Sequence, residues 1–266
     1  MIASLVFLAG FRRRPEWGTP TPEAGHRKAM EAGEQQMTTA GKHSLKGIGI
    51  LEPMSEEGRQ KLESLSRWRD FTRDEQIIDR DSDTGDVFFI VRGRVRVVNY
   101  SYSGREVSYD DLGAGGVFGE LSAIDGEPRS ANVVALENTT VAALSPEQFR
   151  QALMENPGFA LGVMARLVEI IRGSTDRIMD LSTLGAYTRV YAEILRLARE
   201  HAGGDKSATI RPVPVHSDVA SRAGTTRETV ARALSDLSRK GVAKREDDAL
   251  VIDDIDQLEE IVEGPG

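Results

Sequence analysis

Gly119-Glu120-Leu121 and, eight residues on, Arg129-Ser130 combine residue types suited to holding an anion beside a sugar. Gly119 lets backbone N–H groups approach a ligand closely, the Arg129 guanidinium presents a planar fork that matches a phosphate, and the Ser130 hydroxyl adds a donor. A carboxylate only accepts hydrogen bonds, so Glu120 suits a sugar hydroxyl better than a phosphate. Phosphate and ribose, held about one nucleotide apart, accommodate both charges. The alternative for these residues is a surface β-turn with one ion pair; the spacing from Gly-Glu-Leu to Arg-Ser carries the specificity.

No stretch of the chain announces bond-making chemistry. There is no Gly-Lys-Ser/Thr phosphate loop, and Gly113-Ala-Gly115-Gly116 fails as a dinucleotide loop because Phe118 stands where a third glycine belongs. No nucleophile and base pair is recognisable, so no catalytic residue is assigned. The absence of cysteine excludes disulfides, thiolate zinc sites and cysteine-ligated iron–sulfur clusters, and His26, His43, His201 and His216 lack metal-ligand spacing. No metal or cofactor is expected. The 266 residues allow two domains with separate cores, and 39% hydrophobic with 29% charged residues is ordinary soluble composition. A net charge of −8 argues against a uniformly basic coat, so any nucleic-acid contact must come from a local patch.

The elements that position these groups fall into four stretches. Residues 1–46 begin with an apolar run, Ile2 to Phe11, too short to span a bilayer and followed rather than preceded by Arg12-Arg13-Arg14. The rest of that stretch, without apolar periodicity, reads as disorder, and Met30 and Met37 leave open a later natural start. Residues 47–156 open with a short helical lead-in carrying Ile48, Leu51, Leu62 and Leu65, which Ser55 and Gly58 break. Strand-like runs then follow at 76–78, 87–91, 95–99, 106–112, 131–135 and 140–144, the spacing of an antiparallel roll or barrel. Ser145-Pro-Glu-Gln148 is a capping box that starts a helix burying Phe149, Leu153 and Met154.

Residues 157–185 carry Met164, Leu167, Ile171, Ser174, Ile178, Leu181 and Gly185 at alternating steps of three and four, a heptad seam for a parallel homodimer. Packing on its own domain is the alternative. Ser174 interrupts the apolar seam, with Thr175 beside it, which points to a ligand-facing role. Residues 186–266 contain two short helices, at 216–223 and from Thr225 or Thr226 to about Lys240, joined at Gly224; a hairpin wing follows at 241–252. Thr226, Arg227, Glu228 and Arg232 occupy the start of the second helix, where recognition helices meet base edges, and Lys244 on the wing lies near phosphates. From Lys206 to Arg245 there are nine Lys or Arg against three Asp or Glu, whereas 246–266 holds nine acids and no base.

Phe-Gly-Glu-Leu followed by Pro-Arg-Ser-Ala resembles the phosphate-binding cassette of cyclic-nucleotide-binding domains, and Asp83 to Val97 is similar to their glycine-punctuated strands. Asp74 departs from that pattern, standing where the family commonly has glycine. Thr-Arg-Glu-Thr-Val-Ala-Arg at 226–232 resembles the reading helix of the catabolite-activator (CRP/FNR) family. The joint resemblance implies an α+β chain: an N-terminal antiparallel β-roll that binds a cyclic nucleotide, a long dimerisation helix, and a C-terminal winged helix-turn-helix. It implies a cytoplasmic homodimeric transcription regulator, without enzymatic activity or a membrane span. Its expected partners are double-stranded DNA, a cyclic nucleotide and RNA polymerase. Haem and iron–sulfur sensors also occur in the family, and the missing cysteines and unmatched histidines weigh against both. Ser174 and Thr175 fall where the family touches the purine, favouring cyclic AMP over cyclic GMP, and Arg227, Glu228 and Arg232 match an arrangement that reads TGTGA. A ligand-independent regulator whose roll serves only dimerisation is the remaining alternative.

Overall fold

The structure is a computed structural model that describes residues 44–102, 104 and 106–264; the expectations made for 1–43 lie outside the described residues. After a 3-10 turn at Gly49–Leu51 comes α1 (Glu56–Leu65), with Ser55 accepting a hydrogen bond from the Gly58 amide. Ser55 therefore starts a helix, where a break was expected. Its short hydroxyl side chain competes with the helix interior but satisfies an orphan amide at the N-cap. Leu45, expected in the extension, is fully buried in the first core.

The roll consists of two four-stranded antiparallel sheets. One has the order β1 (Arg67–Phe71), β8 (Thr139–Leu144), β3 (Val87–Arg92), β6 (Val117–Phe118). The other runs β2 (Gln76–Ile78), β7 (Asn132–Ala135), β4 (Arg94–Tyr100), β5 (Glu106–Gly113), which leaves β5 at an edge. Phe88, Ile90, Val95, Phe118, Val133 and Val141 meet between the sheets. The predicted strands thus form, and β1 is an addition that its charged residues concealed. Asp74 takes φ 66° and donates its amide to the Ala135 carbonyl at 2.8 Å, so it makes the left-handed turn that glycine makes elsewhere. Asp tolerates this region better than most side chains.

Between β6 and β7 lies α2 (Glu120–Asp125). The capping box at Ser145 and Gln148 opens α3 (Pro146–Glu155), which buries Phe149 but leaves Met154 78% exposed, against the expectation for that methionine. Next comes the 27-residue α4 (Pro157–Thr183). Its first turns pack Phe159 and Val163 into a core shared with Phe89, Phe149 and Leu144.

The C-terminal part has its own core, built from α5 (Ala186–Ala202), β9 (Ala208–Ile210), α6 (His216–Arg222), α7 (Arg227–Arg239), the hairpin β10 (Ala243–Glu246) and β11 (Ala249–Ile252), and α8 (Ile255–Glu263). Val230, Ala233 and Leu237 form the buried stripe of α7 against Ile194 and Ala198 of α5. This is a winged helix-turn-helix. Among the described residues no helix is long and apolar enough to cross a membrane, and no group of three or more acids or histidines could hold a metal ion.

Candidate ligand pocket and nucleic-acid interface

The chain leaves β6 at Gly119, which adopts φ 83°. A Cβ there would lie 2.7 Å from the Asp86 carbonyl oxygen and 2.8 Å from Arg129 Nη1, so only glycine fits without displacing the arginine. Arg129 is 4% exposed. Its Nη1 donates to the Gly119 carbonyl at 3.0 Å and to Ser122 Oγ at 2.9 Å, and its Nη2 donates to the Asp86 carbonyl at 2.8 Å. Nε is buried without a partner among the described residues. The guanidinium is hydrogen-bonded only to neutral acceptors, the Asp86 and Glu120 carboxylates act on it without a direct bond, and its free Nε–H leaves a donor for an anion.

A cavity of about 740 Å³ opens against this group. Gly119, Glu120, Leu121, Arg129 and Ser130 line it from the roll, and Ser174 lines it from α4. Glu120 is 6% exposed. Burial pushes its carboxyl above the usual range, while its own backbone N–H, Arg166 and Arg129 pull the other way. Arg166 lines the same cavity and donates to Asp110 at 2.7 Å. Sequence reasoning passed it over, although Arg166 and Arg177 lie eight residues before and three after Ser174, on one face of a helix.

The raised carboxyl has a measurable consequence. A sugar hydroxyl donates best to ionised Glu120, so nucleotide affinity is expected to fall as pH drops through the raised carboxyl pKa. The Glu120→Gln variant is expected to bind more weakly and with a flat profile; a wild-type profile equally flat by calorimetry would contradict this role. The stability sign is opposite. A raised folded-state carboxyl destabilises the fold when ionised, and that penalty disappears as pH falls through its pKa.

Thr175 is not brought to the cavity. Its hydroxyl donates to the Ile171 carbonyl at 2.9 Å, on the exposed side of α4. Of the expected seam residues, Met164, Ile171, Ile178 and Leu181 are 52%, 64%, 65% and 50% exposed, but Leu167 packs on the roll's core and both Ile178 and Leu181 also line the cavity. The continuous exposed stripe runs instead through Leu161, Met164, Val168, Ile171, Thr175 and Ile178. One residue along a helix is a turn of about 100°, so the flank expected to carry Leu167 and Ser174 carries Val168 and Thr175.

On α7, Thr226 is the N-cap, accepting from the Thr229 amide at 3.3 Å, and Arg227, Glu228 and Arg232 are exposed. The Glu228 carboxyl is held below its usual range, first by its own backbone N–H and then by Thr226. Neither Arg227 nor Arg232 forms an ion pair among the described residues, so both forks face solvent. Lys244 differs: Asp253 and Glu246 engage its ammonium at 3.1 and 3.2 Å, so a phosphate would have to compete with two carboxylates.

A cyclic-nucleotide-binding roll joined to a winged helix-turn-helix defines a class of one-chain transcription regulators, and the comparisons agree with that class. Residues 68–156 match the cyclic nucleotide-binding domain, and residues 188–261 match the Crp-like helix-turn-helix domain. The chain is 33% identical over 178 residues to a cyclic AMP receptor protein of Thermus thermophilus, covering 67% of this chain and 80% of that protein. It is 24% identical over 192 residues to a CRP-like cAMP-activated global transcriptional regulator of Mycobacterium tuberculosis, covering 71% and 85%. In fold, a CooA mutant from Carboxydothermus hydrogenoformans superposes with a TM-score of 0.71 at 23% identity over 84% of this chain and 97% of that one. The chain belongs to the CRP/FNR family of DNA-binding transcription regulators and carries that family's cyclic nucleotide-binding domain.

Proposed function

We propose that this chain is a cytoplasmic homodimeric regulator that binds cyclic AMP in the cavity beside Arg129 and, so loaded, binds a two-fold symmetric DNA site with TGTGA-like halves. The observation that carries it is the buried Arg129 fork, with its unpartnered Nε, at a cavity shared by the roll and the long helix. The phosphate goes to Arg129 and Ser130, the ribose hydroxyl to Glu120, and Gly119 with Leu121 supplies the close backbone approach. Ser174 faces the purine of its own chain, and Thr175 lies on the stripe that a second copy covers. Relatives named as cyclic AMP receptors support the choice of purine. The exposed stripe along α4 supports the homodimer, since an apolar face of that length is a pairing surface. RNA polymerase is the expected further partner, and no residue acts as a catalyst.

Calorimetric titration of the purified protein with cyclic AMP and with cyclic GMP tests the ligand. Tighter binding of cyclic AMP supports the reading, and binding of neither leaves the roll as a structural module. The DNA side is tested by substitution. Arg227→Ala or Arg232→Ala is expected to cost about 1 to 3 kcal/mol and relax preference at one guanine. Lys244→Ala is expected to weaken all sequences alike, with a salt slope reduced by less than about one unit because its two carboxylates already compete. Selection of a motif without paired G·C-bearing halves would sink the assignment of Arg227, Glu228 and Arg232.

A further inference from the structure

The first helix of the helix-turn-helix is fastened to the roll through one face. Asp218, Ser221 and Arg222, at i, i+3 and i+4 of α6, all meet the β4–β5 side of the second sheet. Because β5 is an edge strand, its outer backbone groups need partners. Ser221 Oγ supplies them, accepting from the Ser108 amide at 2.8 Å and donating to the Glu106 carbonyl at 3.1 Å. Around it five charges alternate. Arg96 binds Asp111 through Nε and Nη2 at 2.7 and 2.8 Å, and the same Nη2 reaches Asp218 at 2.8 Å. Arg222 donates to Asp111 at 2.5 Å and to Glu193 at 3.2 Å. The Asp111 and Glu193 side chains are only 6% and 2% exposed. Arg177 of α4 closes the group by donating to the carbonyls of Tyr109 and Arg222.

We infer that this contact is a polar clasp that holds the reading head on its own roll in the arrangement competent to bind DNA, and that salt loosens it. The inference rests on the proposed function. Three observations carry it. The clasp uses the Asp218–Arg222 face and leaves Arg227, Glu228 and Arg232 exposed. A head already fixed loses less freedom when two heads engage two half-sites, so fixing it favours the complex. Tyr109, Arg177, Glu193 and Arg222 line the same cavity as the cassette, so a ligand there lies against the clasp. The contact is also built to separate: the Arg96–Asp218 pair that crosses it has the Asp218 side chain 35% exposed and open to screening, and Ser108 Oγ and Arg222 Nε are buried without partners among the described residues, which lowers the penalty for undocking.

The test uses the full chain with Glu137→Cys and Gln257→Cys, both exposed positions in a sequence without other cysteines. The labelled chain is diluted into unlabelled copies, and the distance between the two labels is measured by electron spin resonance. Arg96→Met removes the bridging guanidinium, and Ser221→Ala removes both edge hydrogen bonds. Neither residue lines the cavity or lies on the reading helix. The expected result is a narrow distance distribution for the wild type at low salt that broadens in both variants and at high salt. Operator affinity should fall about tenfold in Arg96→Met and less in Ser221→Ala, with cyclic nucleotide affinity held within about twofold. Unchanged distributions in both variants overturn the clasp, and so does an operator affinity that stays level or rises as the distribution broadens. A wild type that binds no DNA, with distances behaving as expected, counts against the proposed function and leaves the domain contact standing.

Discussion

Replacing Arg129 with leucine is expected to lower cyclic nucleotide affinity by more than about a hundredfold, on the order of 3 kcal/mol, because the ligand's anion loses its compensating charge in a largely desolvated site. The same side chain donates to the Gly119 and Asp86 carbonyls and to Ser122, so its loss also loosens the cassette. Arg129→Lys separates the two effects. It keeps the charge and gives up the fork, and an intermediate affinity is expected. Calorimetry on Arg129→Leu that returned the wild-type affinity would remove the phosphate from this place.

The second large effect concerns the exposed stripe of α4. Met164 and Ile171 are 52% and 64% exposed and neither lines the cavity, so aspartate at both positions leaves each chain's own core and ligand site untouched. Charges facing each other across a seam oppose pairing, and Met164→Asp with Ile171→Asp is expected to give a monomer by sedimentation. Affinity for a two-fold operator should then drop by about 10² to 10⁴, the advantage of engaging two half-sites at once, while affinity for one half-site stays within a few fold. A variant that sediments as the wild type would show that the stripe does not carry the dimer.

How much of this was legible in the sequence depended on how local the signal was. The strands of the roll could be read because Val87 to Val91 and Val95 to Asn99 bury side chains in a strand pattern between turn residues. β1 could not, because Arg67-Trp-Arg-Asp-Phe71 is an edge strand with only Phe71 buried. Ser145 and Gln148 announced their helix through a local capping box, whereas Ser55, with no acidic or amide partner three residues on, looked like a break. The cassette's residues were visible as types at a spacing. That Arg129 would lie buried with Nε unpartnered is a tertiary fact, since Asp86 and Gly119 come from other strands and turns. The exchange of Ser174 for Thr175 on the outward face is a choice between two heptad frames that share Met164, Ile171 and Ile178, and only the packing of Leu167 on the roll's core, a tertiary fact, decides between them. The clasp had no sequence signal at all. Its partners, Arg96 with Asp218 and Ser108 with Ser221, stand more than a hundred residues apart and become neighbours only when both domains have folded.

If one ligand governs one reading head, reciprocity makes that coupling directly measurable. Cyclic AMP is titrated by calorimetry into the protein alone and into the protein saturated with a duplex bearing paired TGTGA halves about one helical turn, roughly 34 Å, apart. Tighter cyclic AMP binding is expected in the presence of the duplex, by the same factor by which cyclic AMP tightens duplex binding. Equal cyclic AMP affinity with and without the duplex would contradict it.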